Sequence, residues 1–215
     1  MADISKGNCF ICGVKLSKTA MKNHILKTHN NPTDNETCYL LKIEGAYDKN
    51  FWLFLDVALD KSLSSLDSFL RKIWLECCGH MSAFRSNRGD VGKARKIASL
   101  SIGEKIMHEY DFGTTTETLI TVMGETRRPK QREAARLLAR NVPPAFICAD
   151  CGEPADLICL ECMYDDTNPF FCENCVEKHE EIHEMFLPAV NSPRMGECGY
   201  DGEQDIWTFD ADKVK

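Results

Sequence analysis

Apolar positions along the chain change period several times. Residues 38–43 and 51–59 are nearly continuous aliphatic and aromatic runs separated by Glu44-Gly45-Ala46-Tyr47-Asp48-Lys49-Asn50, which predicts two strands joined by a turn. Leu63, Leu66, Phe69, Leu70, Ile73 and Trp74 then recur three and four residues apart, the signature of a helical face, here extending towards Cys77 and stopping at Gly79. Strand-like stretches return at 105–112 and 116–123, divided by Asp111-Phe112-Gly113, so a hairpin is predicted. Residues 134–139 have high helix propensity, with a strand paired to 118–123 as the alternative.

Turn-forming residues divide this pattern into four parts. Residues 5–31 form a small module, Asn30 to Asn35 read as a linker, residues 37–141 as a globular domain, and Pro143-Pro144 as its end. Residues 146–200 form a cysteine-rich module, and 201–215 a mobile polar tail. No apolar run approaches the length of a bilayer span, and Met-Ala-Asp-Ile-Ser-Lys-Gly contains no apolar signal core. Twelve cysteines are therefore read as reduced, metal-binding thiols in a cytoplasmic protein rather than as disulfides.

Charge separates along the chain. Residues 1–60 are neutral, residues 61–145 carry +6 and residues 146–215 carry -13. Arg85 to Lys96 read as an exposed basic loop, and 126–140 hold six bases against Glu133 alone. The acidic C-terminal module should be repelled by phosphate backbones.

The cysteines carry the chemistry. Cys9-x2-Cys12-x11-His24-x4-His29 fits a two-Cys, two-His zinc finger, with Phe10, Leu16 and Met21 as its small core and a helix over 18–28 presenting both histidines. Near the other end, Cys148, Cys151, Cys159, Cys162, Cys172 and Cys175 make three C-x2-C pairs, followed by His179 and His183. A helix over 174–185 would place Cys175, His179 and His183 on one face. These eight ligands suffice for two zinc ions, paired either sequentially or in alternation, so three zinc ions are expected in all. Cys38, Cys77, Cys78 and Cys198 read as ordinary buried cysteines, with Cys198 alternatively capping or replacing a zinc ligand.

The order of these pairs resembles the B-box zinc domain. That resemblance implies a cross-brace in which Cys148, Cys151, Cys172 and Cys175 share one ion while Cys159, Cys162, His179 and His183 share the other. It also implies a protein-interaction role. It departs in having Cys151 where that family often has His, and in the longer 162–172 spacing.

Residues 37–141 are similar to the plasmid pRiA4b ORF-3-like family of bacteria and archaea. The similarity is carried by Tyr39-Leu40-Leu41-Lys42-Ile43, Trp52, Leu63, Leu66, His80-Met81-Ser82-Ala83-Phe84 and, most specifically, Tyr110-Asp111-Phe112-Gly113. It implies an α+β fold, an antiparallel sheet with packed helices flanked here by zinc-stabilised modules, and it implies that 134–140 form a strand. Leu53-Phe54, Thr116 and Thr118 replace polar or aromatic residues of that family, and no settled activity accompanies the fold.

Evenly divided Cys/His fours leave no open metal position, and H-E-x-x-H, G-x-S-x-G and phosphate-loop motifs are absent. The expectation is a non-enzymatic zinc-binding adaptor with a protein partner and no membrane association, without catalytic or organic cofactor-binding residues and of undefined oligomeric state. Nucleic-acid binding through the finger and the basic stretches, in a plasmid- or transposon-associated role, is the alternative. A third reading places an enzyme site around His80, His108, Glu109 and Asp111.

Overall fold

Runs apolar on both faces belong in the middle of a covered sheet, and that is where residues 38–43 and 51–59 lie. The computed structural model of the protein describes residues 5–165, 167–179 and 181–213. In chain order the elements are β1 (Lys6–Cys9), β2 (Lys15–Ser17), α1 (Lys18–Thr28), β3 (Glu36–Gly45), β4 (Trp52–Ala58), α2 (Leu63–Leu70), β5 (Ser82–Ser86), β6 (Gly89–Val91), β7 (Lys105–Tyr110), β8 (Thr116–Arg128) and β9 (Ala135–Asn141). They are followed by β10 (Leu157–Cys159), β11 (Phe170–Phe171), α3 (Glu173–His179) and β12 (Phe186–Pro188). Parts of three sequence expectations fall outside the described residues: the first four residues of the opening segment, Glu180 of the second metal-binding helix and 214–215 of the tail.

The architecture is α+β. Nine strands form one antiparallel sheet in the order β2-β1-β9-β4-β3-β8-β7-β5-β6, and a separate three-stranded sheet, β11-β10-β12, lies in the C-terminal cysteine-rich module. Alternation sends Leu41, Ile43, Leu53, Leu55 and Val57 to one face, where Leu63, Leu66 and Leu70 of α2 complete the main core. Leu40, Trp52, Phe54 and Leu138 point to the other face and meet Met21 and Ile25 of α1. The helix of the N-terminal finger is thus the cover of the second sheet face. Strand β1 joins the same sheet by pairing Gly7, Asn8 and Cys9 with Asn141, Arg140 and Ala139 of β9.

Several local expectations change. Residues 135–141 are a strand rather than a helix, since their backbone groups complete the ladder between β1 and β4. The helix beginning at Leu63 closes at Leu70, loosens into a π-type turn over Arg71–Leu75 and becomes extended at Glu76. The basic loop over 85–96 contains β6 as the sheet edge. The expected linker is pinned, because Asn30 Oδ1 and Asn35 Oδ1 accept the backbone N–H groups of Arg127 (2.9 Å) and Lys130 (2.8 Å). The expected mobile tail is also held: Asp205 accepts from Arg140 (2.8 Å), Trp207 packs on Phe69 and Phe209 on Phe10.

Candidate metal centres

Tetrahedral zinc with Zn–S near 2.3 Å and Zn–N near 2.0 Å separates sulfur pairs by about 3.8 Å and sulfur from nitrogen by about 3.5 Å. Four Cys/His clusters have their ligand atoms gathered within 4.8 Å of one another, close enough to hold zinc.

In the first, the end of β1 and the turn after it carry Cys9 and Cys12, while α1 and the residue that caps its C-terminus carry His24 and His29. His24 Nε2 and His29 Nε2 lie 3.2 and 3.4 Å from Cys12 Sγ and 3.0 Å from each other. Gly13, at φ 77°, permits the turn that folds the cysteine pair back towards β2. Burial, with help from His24 and Arg136, pushes the His29 pKa down and so favours the neutral, ligating imidazole.

The C-terminal ligands gather in alternation: Cys148 and Cys151 with Cys172 and Cys175, and Cys159 and Cys162 with His179 and His183. Cys151 and Cys172 sulfurs are 3.7 Å apart. In the second cluster Cys159 and Cys162 sulfurs each lie 3.3 Å from His183 Nδ1, and His179 Nε2 is 3.3 Å from Cys162. Antiparallel β10 and β11 bring the pairs together, and α3 begins directly after Cys172, delivering Cys175 and His179 from one face. Helix α3 ends at His179 rather than near residue 185, yet the His183 N–H still donates to the His179 carbonyl (3.0 Å), preserving the turn that aims His183 inward.

Proximity makes these thiols compete. Burial opposes ionisation of Cys148, but backbone N–H groups of Cys151, Cys172 and Asp150 outweigh it and bring the pKa down to about 6. Cys175, hydrogen-bonded to Cys151 and Cys172, is pushed up to about 12. Four thiolates this close can ionise together only around a cation, so the donor set fits a soft divalent metal such as zinc. By contrast Cys38 is an inert core thiol, pushed up to about 12 by burial.

Sequence reasoning missed the fourth cluster, Cys77, Cys78, His80 and Cys198. Cys78 and Cys198 are exposed rather than buried. Neighbouring side chains diverge on a helix, but the chain has left helical geometry by Glu76, which lets Cys77 and Cys78 converge.

Of the residues read as a third, enzymatic possibility, His80 and Asp111 meet (3.4 Å), while His108 and Glu109 are engaged elsewhere. His108 is fully buried and its Nε2 lies 2.8 Å from Asp67 Oδ1. Glu109 pairs with Arg85 (2.9 Å), Asp111 with Arg194 (2.7 Å), and His80 faces Cys78 and Cys198. No described helix is long and apolar enough to cross a membrane.

Comparison with known proteins adds little to this geometry. No family model matches the chain. No curated protein matches it either. Among solved structures it is similar to a protein of unknown function from Methanosarcina mazei Go1, at 17% identity and a TM-score of 0.43, over 55% of this chain and 75% of that one.

Proposed function

We propose that the protein is a non-enzymatic zinc-binding adaptor that docks a protein partner through its acidic C-terminal module. The observation that carries this reading is that the metal clusters are complete fours, each donor a protein side chain, which leaves no position for substrate. Tyr164, Ile182 and Met185 are exposed on the same module, apolar side chains on an acidic surface of the kind that anchors protein contacts.

Nucleic-acid binding is the second reading, and the fate of the basic residues counts against it. Arg128 and Arg136 are spent on Asp56, Arg140 on Asp205, Arg71 and Lys93 on Asp67, Arg85 on Glu109 and Arg95 on Glu104. In the finger, Met21 and Ile25 are buried against the sheet and Lys18 donates to Glu44, so the helix is engaged in its own protein. The pRiA4b ORF-3-like resemblance is retained as part of this proposal. In its support, Tyr110-Asp111-Phe112-Gly113 ends β7 and opens the turn to β8. A reducing cytoplasm suits exposed ligand thiols.

Affinity purification from the native host, split into nuclease-treated and untreated halves, tests the reading. Partners should survive nuclease and should be lost with Y164S/I182S/M185S at unchanged zinc content. Partners that vanish with nuclease while RNA or DNA is recovered would transfer the function to the remaining basic surface.

A further inference from the structure

We propose that Cys77, Cys78, His80 and Cys198 form a fourth structural zinc site, which fastens the C-terminal arm over 189–209 to the edge of the central domain. Cys78 Sγ lies 3.9 Å from Cys77 Sγ and 3.8 Å from Cys198 Sγ, close to the sulfur edge of about 3.8 Å expected for tetrahedral zinc. His80 Nε2 is 3.0 Å from Cys78 and 3.1 Å from Cys198. These sulfur–nitrogen separations are slightly contracted, as they are in the finger and in the Cys159 cluster. Sulfurs at 3.8 Å are not disulfide-bonded, since that bond measures about 2.05 Å. Thiol hydrogen bonds are too weak to assemble four side chains at a surface where water competes for each.

The backbone is arranged for this convergence. The chain leaves helical geometry at Glu76, Cys77 and Cys78 both reach the cluster with Cys198, and Gly79, at φ 84°, turns the chain so that His80 joins them. Cys198 sits between Gly196 (φ 83°) and Gly199 (φ 67°) and is itself left-handed, at φ 47°. Among the described residues the non-glycine positions with left-handed φ are Cys198 and Asp111 (φ 64°), and both border this cluster. Such conformations are strained for a side chain with a Cβ and persist where surrounding interactions impose them. Metal ligation supplies that interaction for Cys198.

The surroundings complete the site. Three thiolates and a neutral imidazole around a dication leave one negative charge, and the fully buried guanidinium of Arg194 lies beside it, donating to Cys77 Sγ (3.6 Å) and to Asp111 Oδ2 (2.7 Å). Tyr110 Oη is 3.9 Å from Cys77 Sγ and donates to Glu76 (3.0 Å), which also accepts from the Gly79 N–H and so fixes the turn between Cys78 and His80. Tyr110 and Asp111 begin the tetrapeptide singled out in the sequence, which here walls a metal cluster. Closing His80 onto Cys198 brackets the whole double-zinc module in a loop of 118 residues, a long cross-link of the kind that restricts the unfolded chain most.

Metal counting on the intact chain decides the matter, independently of whether the partner is protein or nucleic acid. Native mass spectrometry of full-length protein purified in reductant with zinc as the only added metal should show four ions per chain. C198S and H80A should each hold three, and H80C, which restores a fourth soft donor, should again hold four. That last variant separates ligation from damage to the fold. Wild-type protein with three ions, C198S with four, or H80C with the same count as H80A would each overturn the proposal.

Discussion

At the scale of single residues, the charges inside the sheet are the least obvious feature of the chain. Asp56 lies in the middle of β4, fully buried, and looks in the sequence like a mere interruption of an apolar run. It answers two arginines: Arg128 Nη1 donates to Asp56 Oδ1 (2.5 Å) and Arg136 Nε to Oδ2 (2.9 Å), while Arg128 Nε also reaches Glu36 (2.6 Å). Removing one member of a buried ionic set strands the other, so D56A is expected to cost about 3–5 kcal/mol in urea unfolding. A loss below about 1 kcal/mol would mean that water replaces the carboxylate. Asp67 gives a pH dependence. Burial alone would raise its pKa, but hydrogen bonds from His108, Ser82 and Lys93 overcome it and hold the carboxyl well below the usual range. Its stabilisation is therefore complete above the unfolded pKa of about 3.9 and fades as pH falls towards the folded value. The difference in unfolding free energy between wild type and D67N should narrow from about pH 5 to about pH 3, and a constant difference would show that Asp67 is not held ionised. Neither partner set was legible in the sequence, because most of the residues concerned lie 15 to 92 positions apart.

At the scale of elements, the apolar runs announced strands, and the metal ligands of the finger and of the cysteine-rich module announced their local turns. What the sequence concealed was how these pieces share a sheet. Two bulges, opposite Leu40/Leu41 and Phe54/Leu55, interrupt the alternation of β8 and β9, so the neighbours Leu138 and Ala139 enter the same core, opposite to Leu137, and the strand period disappears behind a helix-like composition. The second cover of β3 and β4 was hidden because a zinc finger is ordinarily sufficient to itself. Here the junction of β1 with β9 decides the matter, and Gly7 is its tightest point: a Cβ there would stand 2.2 Å from the Arg140 carbonyl oxygen and 2.4 Å from the Trp52 ring. G7A should destabilise the chain by about 1–3 kcal/mol through overpacking, measured by thermal or urea unfolding, with the finger's zinc retained. Unchanged stability would show that β1 is free to leave the sheet.

At the scale of the whole molecule, the central domain and the C-terminal module are built on different principles, and chelation should separate them. Among the described residues the main core contains 22 buried residues, none of them cysteine, and depends on β3, β4, β8 and α2. The core of the C-terminal module has seven among the described residues, of which Cys148, Cys159, Cys162 and Cys172 are four, so its interior is largely the clustered thiols themselves. Structural zinc contributes on the order of 10 kcal/mol or more to such units, and without it their apolar burial cannot offset the entropy of ordering the chain. The finger lies between these extremes. Its helix buries Met21 and Ile25 against Trp52 and Phe54, so loss of metal loosens a surface that the central sheet still needs covered. A strong chelator in reductant should therefore open residues 146–188 to protease first while the β-sheet circular dichroism persists. As the finger then releases, tryptophan emission should shift to the red, because Trp52 is fully buried and its indole N–H is held by Ser5 Oγ (3.0 Å). A single concerted loss of sheet signal, emission shift and protease resistance would show instead that zinc is integral to the central fold, and that the nine-stranded sheet cannot stand without the finger at its β2-β1 edge.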